Sequence, residues 1–195
     1  MSKRKTSEKR KEEVFEATLE IIYEEGKKNL TIRRIAEKIG ISESAIYRHF
    51  KNKKDILRQL VEKVLEQGKE DFKEERFEGL KEHLEFAIKS NFSMLEENPH
   101  LAAFLFHEDL FAEHPELMEK FQEYREEKME RIKDLVKKAQ ERGEVSEEVD
   151  PKTFSEIFIG SIYISIIEWR RKEFSYSLEE KAEEIINELS KILEK

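Results

Sequence analysis

The 195-residue sequence has no cysteine, and it contains only three prolines and six glycines. Without cysteine, neither a disulfide framework nor a cysteine-ligated zinc site can form. The scarcity of helix-breaking residues is accompanied by 42% charged residues. Apolar residues recur every three or four positions between these charges. The sequence therefore predicts an all-α fold whose helices have well-solvated outer faces.

Long hydrophobic runs are also missing. The longest uncharged apolar stretch is residues 157–167, IFIGSIYISII, whereas about 20 apolar residues are needed to cross a bilayer. The N-terminal stretch MSKRKTSEKRKEEV lacks the apolar segment that a secretory signal requires. These observations predict a cytoplasmic protein that does not bind membranes.

The net charge of −8 is distributed unevenly along the chain. Residues 1–60 contain 16 Lys or Arg and 10 Asp or Glu, a net charge of +6, so the remaining residues carry −14. A basic segment followed by an acidic one indicates a polyanionic partner for the first segment only. The alternative is that the charges simply solvate helix faces, which explains the acidic part better than the basic part.

The basic segment contains the signals of several short helices. A first helix is predicted over about 8–25, and Gly26 is placed to end it. Thr31 is a suitable N-cap for a short second helix, which Gly40 ends by permitting a tight turn. Ser42 is expected to cap a third helix. Two short helices joined by such a turn form a helix-turn-helix, whose second helix can lie in a DNA major groove.

Apolar spacing within the third helix predicts which side faces the DNA. Ile46 and Phe50 are expected to point inward, and the residues around them suit base edges and phosphate oxygens. The chain from Asn52 to Asp55 resembles a capping box that opens a fourth helix. Basic residues from Lys3 to Lys11 are expected to form a mobile arm along the DNA backbone. The candidate DNA-binding residues are Thr31, Arg33, Ser42, Glu43, Ser44, Ala45, Tyr47, Arg48, His49 and Lys53.

The stretch TIRRIAEKIGISESAIYRHFKNKKDIL, residues 31–57, resembles the DNA-binding motif of the TetR/AcrR family of transcription regulators. The resemblance covers about residues 10–60 with its spacing intact; only Ile39 departs, where the family commonly has Ala. The matching positions are Thr31, Ile35, Ala36, Gly40, Ser42, Tyr47, His49, Phe50, Lys53 and Leu57. The resemblance implies a homodimeric repressor that binds a palindromic operator in double-stranded DNA and leaves it when an effector binds.

Two domains are predicted, a helix-turn-helix domain over 1–52 and an effector-binding and dimerisation domain over 53–195. The predicted helices of the second domain span 52–75, 78–97, 100–113, 115–142, 151–171 and 178–194. Within 151–194, one helix is apolar nearly all round and the next carries an apolar stripe. Residues 151–194 are therefore expected to form the homodimer interface, as the resemblance also implies; completion of a monomer core is the alternative.

Eleven of the thirteen phenylalanines follow residue 60. They favour a pocket for a small apolar or aromatic effector, although ordinary core packing is the alternative for any single residue. The candidate effector-binding residues are Phe86, Phe92, Phe104, Phe106, His107, Phe111, Phe158, Tyr163, Glu168 and Trp169.

No cofactor, metal site or enzymatic activity is expected. His100, His107 and His114 are seven residues apart, or about 10 Å along a helix, which is too far to share one ion. The sequence has no glycine-rich phosphate loop and no nucleophile motif. The competing hypothesis is a factor of the same fold that binds DNA architecturally or binds another protein, without a small ligand.

Overall fold

The computed structural model describes residues 6–70 and 77–193, with the side chains of Glu70 and Glu108 left undescribed. The described residues form ten α-helices, a 3-10 turn over Lys27–Asn29, and no strand, which confirms the all-α prediction. The helices are α1 Ser7–Glu24, α2 Ile32–Ile39, α3 Glu43–Ile46, α4 Lys53–Glu70, α5 Leu80–Glu97, α6 Pro99–Leu105, α7 Glu108–Ala112, α8 Pro115–Glu141, α9 Pro151–Arg171 and α10 Leu178–Leu193.

Local signals set the helix ends in the first 50 residues. The Thr31 hydroxyl accepts a hydrogen bond from the Arg34 amide at 3.0 Å, as expected of an N-cap. Gly40 adopts φ +71° and ends α2 in the left-handed conformation that glycine tolerates best. The expectation for Ser42 is wrong in one respect: it precedes α3, but its hydroxyl pairs with that of Ser44 at 2.8 Å instead of capping the helix.

The predicted capping box forms at the start of α4, except that the amide bound by the Asp55 carboxylate is that of Lys51 instead of Asn52. The Asp55 amide donates to Asn52 Oδ1 at 2.9 Å, and the Lys51 amide donates to Asp55 Oδ2 at 2.8 Å. Burial raises the pKa of Asp55, but hydrogen bonds from Lys51, Arg58 and Gln59 outweigh this effect, so its pKa lies below the ordinary value. The carboxylate therefore fixes the connection between α3 and α4 in its charged form.

Some predicted segments differ from the structure or extend beyond the described residues. The single helix over 100–113 is wrong, because α6 ends at Leu105 and the His107 imidazole Nδ1 accepts from the Leu110 amide at 3.3 Å to start α7. The mobile basic arm is also wrong for Lys9–Lys11, which lie in α1; Lys3–Lys5 fall outside the described residues. The C-terminal ends predicted for the helices over 52–75 and 178–194 also fall outside the described residues.

One contiguous cluster of buried side chains holds the described residues together. Val14, Ile35 and Ile46 are fully buried between α1, α2 and α3. In the larger part, α8 packs along α9, and α5 packs along α10. Helix α4 packs against both α1 and α8, so it connects the two parts. The division between 1–52 and 53–195 stays a prediction.

None of the helices within residues 6–70 and 77–193 combines the length and the hydropathy needed to cross a bilayer.

Candidate nucleic-acid interface and ligand cavity

Helix α3 is attached by its buried side and presents its other side to solvent. Ile46 and Phe50 are 0% and 1% exposed, as the apolar spacing predicts. A hydrogen-bonded turn extends α3 to Phe50, whose amide donates to the Ile46 carbonyl at 3.1 Å. The exposed side consists of five candidate DNA-binding residues: Ser42, Glu43, Ser44, Tyr47 and Arg48. Their hydroxyl, carboxylate and guanidinium groups match the hydrogen-bonding groups of base edges.

The remaining candidates surround this surface. Lys53 is exposed at the first residue of α4, where free helix amides also favour a phosphate. Arg33 is exposed but pairs with Glu37 at 2.9 Å, so a phosphate contact requires exchange of that partner. His49 is half-buried, with Nδ1 3.2 Å from the Ser7 hydroxyl. Ala45 is also half-buried, and Thr31 is exposed beside its cap contact.

Sequence reasoning omitted Lys51 from this surface. Its side chain is exposed, and its amide is held by Asp55 between α3 and α4. The signal was its place in the basic cluster KNKK, residues 51–54. Lys51 and Lys53 thus form a basic edge beside α3, a surface whose charge suits phosphate oxygens.

Replacing Asp55 with Ala should lower the free energy of unfolding by about 1–2 kcal/mol, because the carboxylate no longer accepts hydrogen bonds from the Lys51 amide, Arg58 and Gln59. The lowered pKa means that this stabilisation is complete above the ordinary aspartate pKa and is lost as the pH falls through the lower folded value. Urea unfolding at pH 7 and at pH 3 measures both effects. Equal losses at the two pH values would contradict the role of the charged carboxylate.

The larger part of the molecule encloses a cavity of about 400 Å³ between α4, α5, α6, α7, α8 and α9. Most of its wall is apolar. The apolar lining residues are Val64, Leu65, Met94, Leu95, Leu105, Phe106, Phe111, Met118, Phe121, Ile159, Ile162, Ile166 and Ile167. A cavity of this size and character fits a ligand with a long apolar portion.

Three of the ten candidate effector-binding residues line this cavity, namely Phe106, Phe111 and Tyr163. Four aromatic candidates do not, because packing between helices buries them completely or almost completely elsewhere in the core: Phe92, Phe104, Phe158 and Trp169. The position of these four fits the alternative of ordinary core packing.

The other three candidates also lie outside the cavity wall. Phe86 lines a separate surface groove beside α5, with Lys89 and Ser93. His107 serves as the cap of α7. Glu168 lies 3.4 Å from the Arg171 guanidinium on the same helix.

Three cationic residues line the cavity, and sequence reasoning missed all of them. They are Arg125, Lys128 and Arg170, and none of the described residues that line the cavity is Asp or Glu. Lys128 is 8% exposed, with its ammonium 5.3 Å from the centre of the Tyr124 ring. Cations in a cavity with low-dielectric walls favour an anionic ligand, because such walls strengthen the local field.

A signal for Lys128 does exist in the sequence. It lies in the apolar stripe of α8, spaced regularly after Phe121 and Tyr124, where a charged side chain is out of place. Gly68 gives no such signal. A Cβ built at Gly68 would lie 2.0 Å from the Tyr124 hydroxyl oxygen, so a larger residue there requires the Tyr124 side chain to move.

An apolar face of α9 and α10 is uncovered in the single chain. Ile157, Ile164 and Ile192 are 46%, 57% and 44% exposed. Gly160 lies between the first two on α9, and a Cβ built there meets no atom within 4 Å. Exposed isoleucines beside a glycine suit close packing against another helix.

Comparisons with known proteins agree with this geometry. A family model described as "Bacterial regulatory proteins, tetR family" matches residues 14–60, and one described as "YsiA-like protein, C-terminal region" matches residues 50–191. The fatty acid metabolism regulator protein of Bacillus subtilis (strain 168) is 27% identical over 170 residues, which are 85% of this chain and 86% of that protein.

Two further relatives extend the comparison. The transcriptional regulator FadR from Bacillus subtilis, solved in complex with stearoyl-CoA, superposes with a TM-score of 0.74 at 25% identity, covering 91% of this chain and 96% of that one. The nucleoid occlusion factor SlmA of Vibrio vulnificus (strain YJ016) is 24% identical over 187 residues, 90% of this chain and 91% of that protein. The two family models together cover residues 14–191, and the chain belongs to the TetR family of transcriptional regulators, which bind DNA and are not enzymes.

Proposed function

We propose that this regulator is a homodimeric repressor whose effector has a long acyl chain and a negatively charged head group. The observation that carries the proposal is an apolar cavity lined by three cations and, among the described residues, by no acid. The apolar wall accommodates the chain, and Lys128 and Arg125 on α8 attract the head group. The relatives support this choice, because one is named for fatty acid metabolism and one was solved with stearoyl-CoA.

Dimerisation completes the proposal. The uncovered isoleucines of α9 and α10 are suited to pack against the same face of a second copy. A two-fold dimer presents two copies of α3, and such a pair reads a palindromic operator. An effector that binds the dimer better than it binds the dimer–operator complex must weaken operator binding by the same factor.

Thermal unfolding with three compounds of equal chain length tests the effector. Stearoyl-CoA and stearate should raise the melting temperature, since a ligand that binds only the folded state stabilises it. Stearyl alcohol should raise it less, because it lacks the charge. An equal response to the alcohol would remove the argument for a charged head group.

Replacing Lys128 with Met should weaken binding of stearoyl-CoA by about tenfold or more, because one charge-assisted contact is lost from a buried position. Binding of stearyl alcohol should change little. Lys137→Met is the matched control, since Lys137 lies on the same helix and is exposed. Titration calorimetry measures both ligands, and equal losses for the two compounds would indicate a packing defect rather than loss of charge recognition.

A second candidate is a factor that regulates through another macromolecule without a small ligand. The resemblance to SlmA over 90% of the chain favours it, as does the acidic surface of residues 61–195. The thermal experiment discriminates, because this candidate predicts no shift with any of the three compounds.

A further inference from the structure

The 3-10 turn Lys27–Asn29 of the DNA-binding part touches α7 of the larger part through one side chain. The Lys27 ammonium lies 3.0 Å from the Asp109 carbonyl oxygen and 2.9 Å from Glu113 Oε1. We propose that Lys27 is a positioning residue that transmits occupancy of the cavity to the DNA-binding part through α7. This inference rests on the proposed function and names the contact that would carry its regulation.

The lysine binds the carboxyl end of α7. In a helix of five residues the last four carbonyls have no partner within the helix, and a cation there is stabilised by them and by the helix dipole. The Lys27 side chain is 20% exposed and the Glu113 side chain 62%, so the lysine is the more sheltered partner of this contact. This contact couples the turn after α1 to α7, in addition to the packing of α1 on α6.

The opposite side of α7 faces the ligand cavity. Asp109 and Glu113 are about one turn apart and share a face, while Phe111 lies about 200° around the helix. Phe111 is 2% exposed, lines the cavity, and packs its ring 5.1 Å from that of Phe121. A ligand that displaces Phe111 displaces α7 and, with it, the two oxygens that hold Lys27.

Helix α7 is also the shortest of the helices that contribute residues to the cavity wall. Five residues are far fewer than an isolated helix needs to be stable. Its amino end is held by the His107 cap, and the preceding residue, Phe106, is itself part of the cavity wall. A ligand in the cavity thus contacts both α7, through Phe111, and the segment before it, through Phe106. A short helix that touches the ligand at two points is suited to move when the ligand binds.

Another contact joins the two parts but is less suited to movement. Lys54 at the start of α4 pairs with Glu116 at 2.9 Å. Glu116 belongs to α8, which has 27 residues and packs along α9. That contact is a fixed support, whereas the contact of Lys27 ends on a short helix with a cavity-lining residue.

The test compares Lys27→Met with Lys28→Met. The two lysines are adjacent and carry the same charge, but Lys28 is exposed and outside the contact with α7. Each full-length variant is titrated with an operator fragment obtained by in-vitro selection, in the absence and presence of saturating stearoyl-CoA. The measured quantity is the ratio of the two DNA dissociation constants, and stearoyl-CoA affinity without DNA is measured separately.

We expect Lys28→Met to keep the wild-type ratio and Lys27→Met to reduce it by about two- to fivefold, the range of a partly exposed ion pair. Stearoyl-CoA affinity should be the same in both variants. An unchanged ratio in Lys27→Met, or an equal reduction in both variants, would overturn the role of Lys27. Failure of the wild type to bind stearoyl-CoA would instead count against the proposed function.

Hydrogen exchange tests the contact without ligand or DNA. The amides of α7 should exchange faster in Lys27→Met than in Lys28→Met, because the end of the helix loses its cation. Equal exchange in the two variants would show that Lys27 does not hold α7. Restoration of slow exchange when Lys27→Glu is combined with Glu113→Lys would confirm the charge pairing.

Discussion

Affinity for an operator fragment should fall by about 10³–10⁵-fold between 50 and 200 mM salt, as for proteins that make roughly 6–10 phosphate contacts. In the proposed dimer, two copies of Lys51, Lys53 and Tyr47 offer six exposed side chains for such contacts. The acidic remainder of the chain, with a net charge of −14, opposes DNA binding elsewhere. Binding that does not respond to salt would contradict this surface as the phosphate-binding site.

Substitutions should separate contacts to phosphate from contacts to bases. Lys53→Ala should weaken binding to all sequences alike and reduce the salt slope by about one per bound lysine. Arg48→Ala should cost about 1–3 kcal/mol on the operator and relax the preference at one base position in each half-site. Lys137→Ala removes the same charge from α8 and should leave the slope unchanged. Selection of genomic DNA by each variant, followed by sequencing, measures the base preference. Titration of the operator fragment at several salt concentrations measures the slope.

The first 60 residues could be predicted well because short-range chemistry determines their structure. The cap at Thr31 and the left-handed turn at Gly40 both follow from a few neighbouring residues. Inward anchors at Ile46 and Phe50 follow from helical spacing. The exception, Ser42, reflects competition for one hydroxyl, because the side chain of Ser44 offers a hydrogen-bond partner that spacing alone does not reveal.

The ligand cavity was harder to predict, because its wall depends on how six helices pack. Phe106 and Phe158 are both aromatic residues in apolar segments, yet only Phe106 reaches the cavity. Sequence spacing gives the buried face of one helix but not the distance to the next helix. The break at His107 was also missed, since a histidine cap competes with helix continuation only when its imidazole can turn towards the Leu110 amide.

Replacing Phe158 with Ala should lower the free energy of unfolding by about 3–5 kcal/mol, because it opens a void in a fully packed region. Phe158 is 0% exposed and lies outside the ligand cavity. Phe106→Ala should cost less, about 1–2 kcal/mol, since it enlarges a cavity that already exists. Urea unfolding of the two variants gives both values, with an unchanged m-value showing that the denatured state is the same.

Ligand binding should respond in the opposite order. Phe106→Ala should alter stearoyl-CoA affinity, because the wall that contacts the chain changes, whereas folded Phe158→Ala should retain wild-type affinity below its melting temperature. If Phe106→Ala and Phe158→Ala bind stearoyl-CoA with the same affinity, the cavity does not hold the ligand. The two phenylalanines thus separate the role of the core, which keeps the helices in place, from the proposed role of the cavity as the effector site.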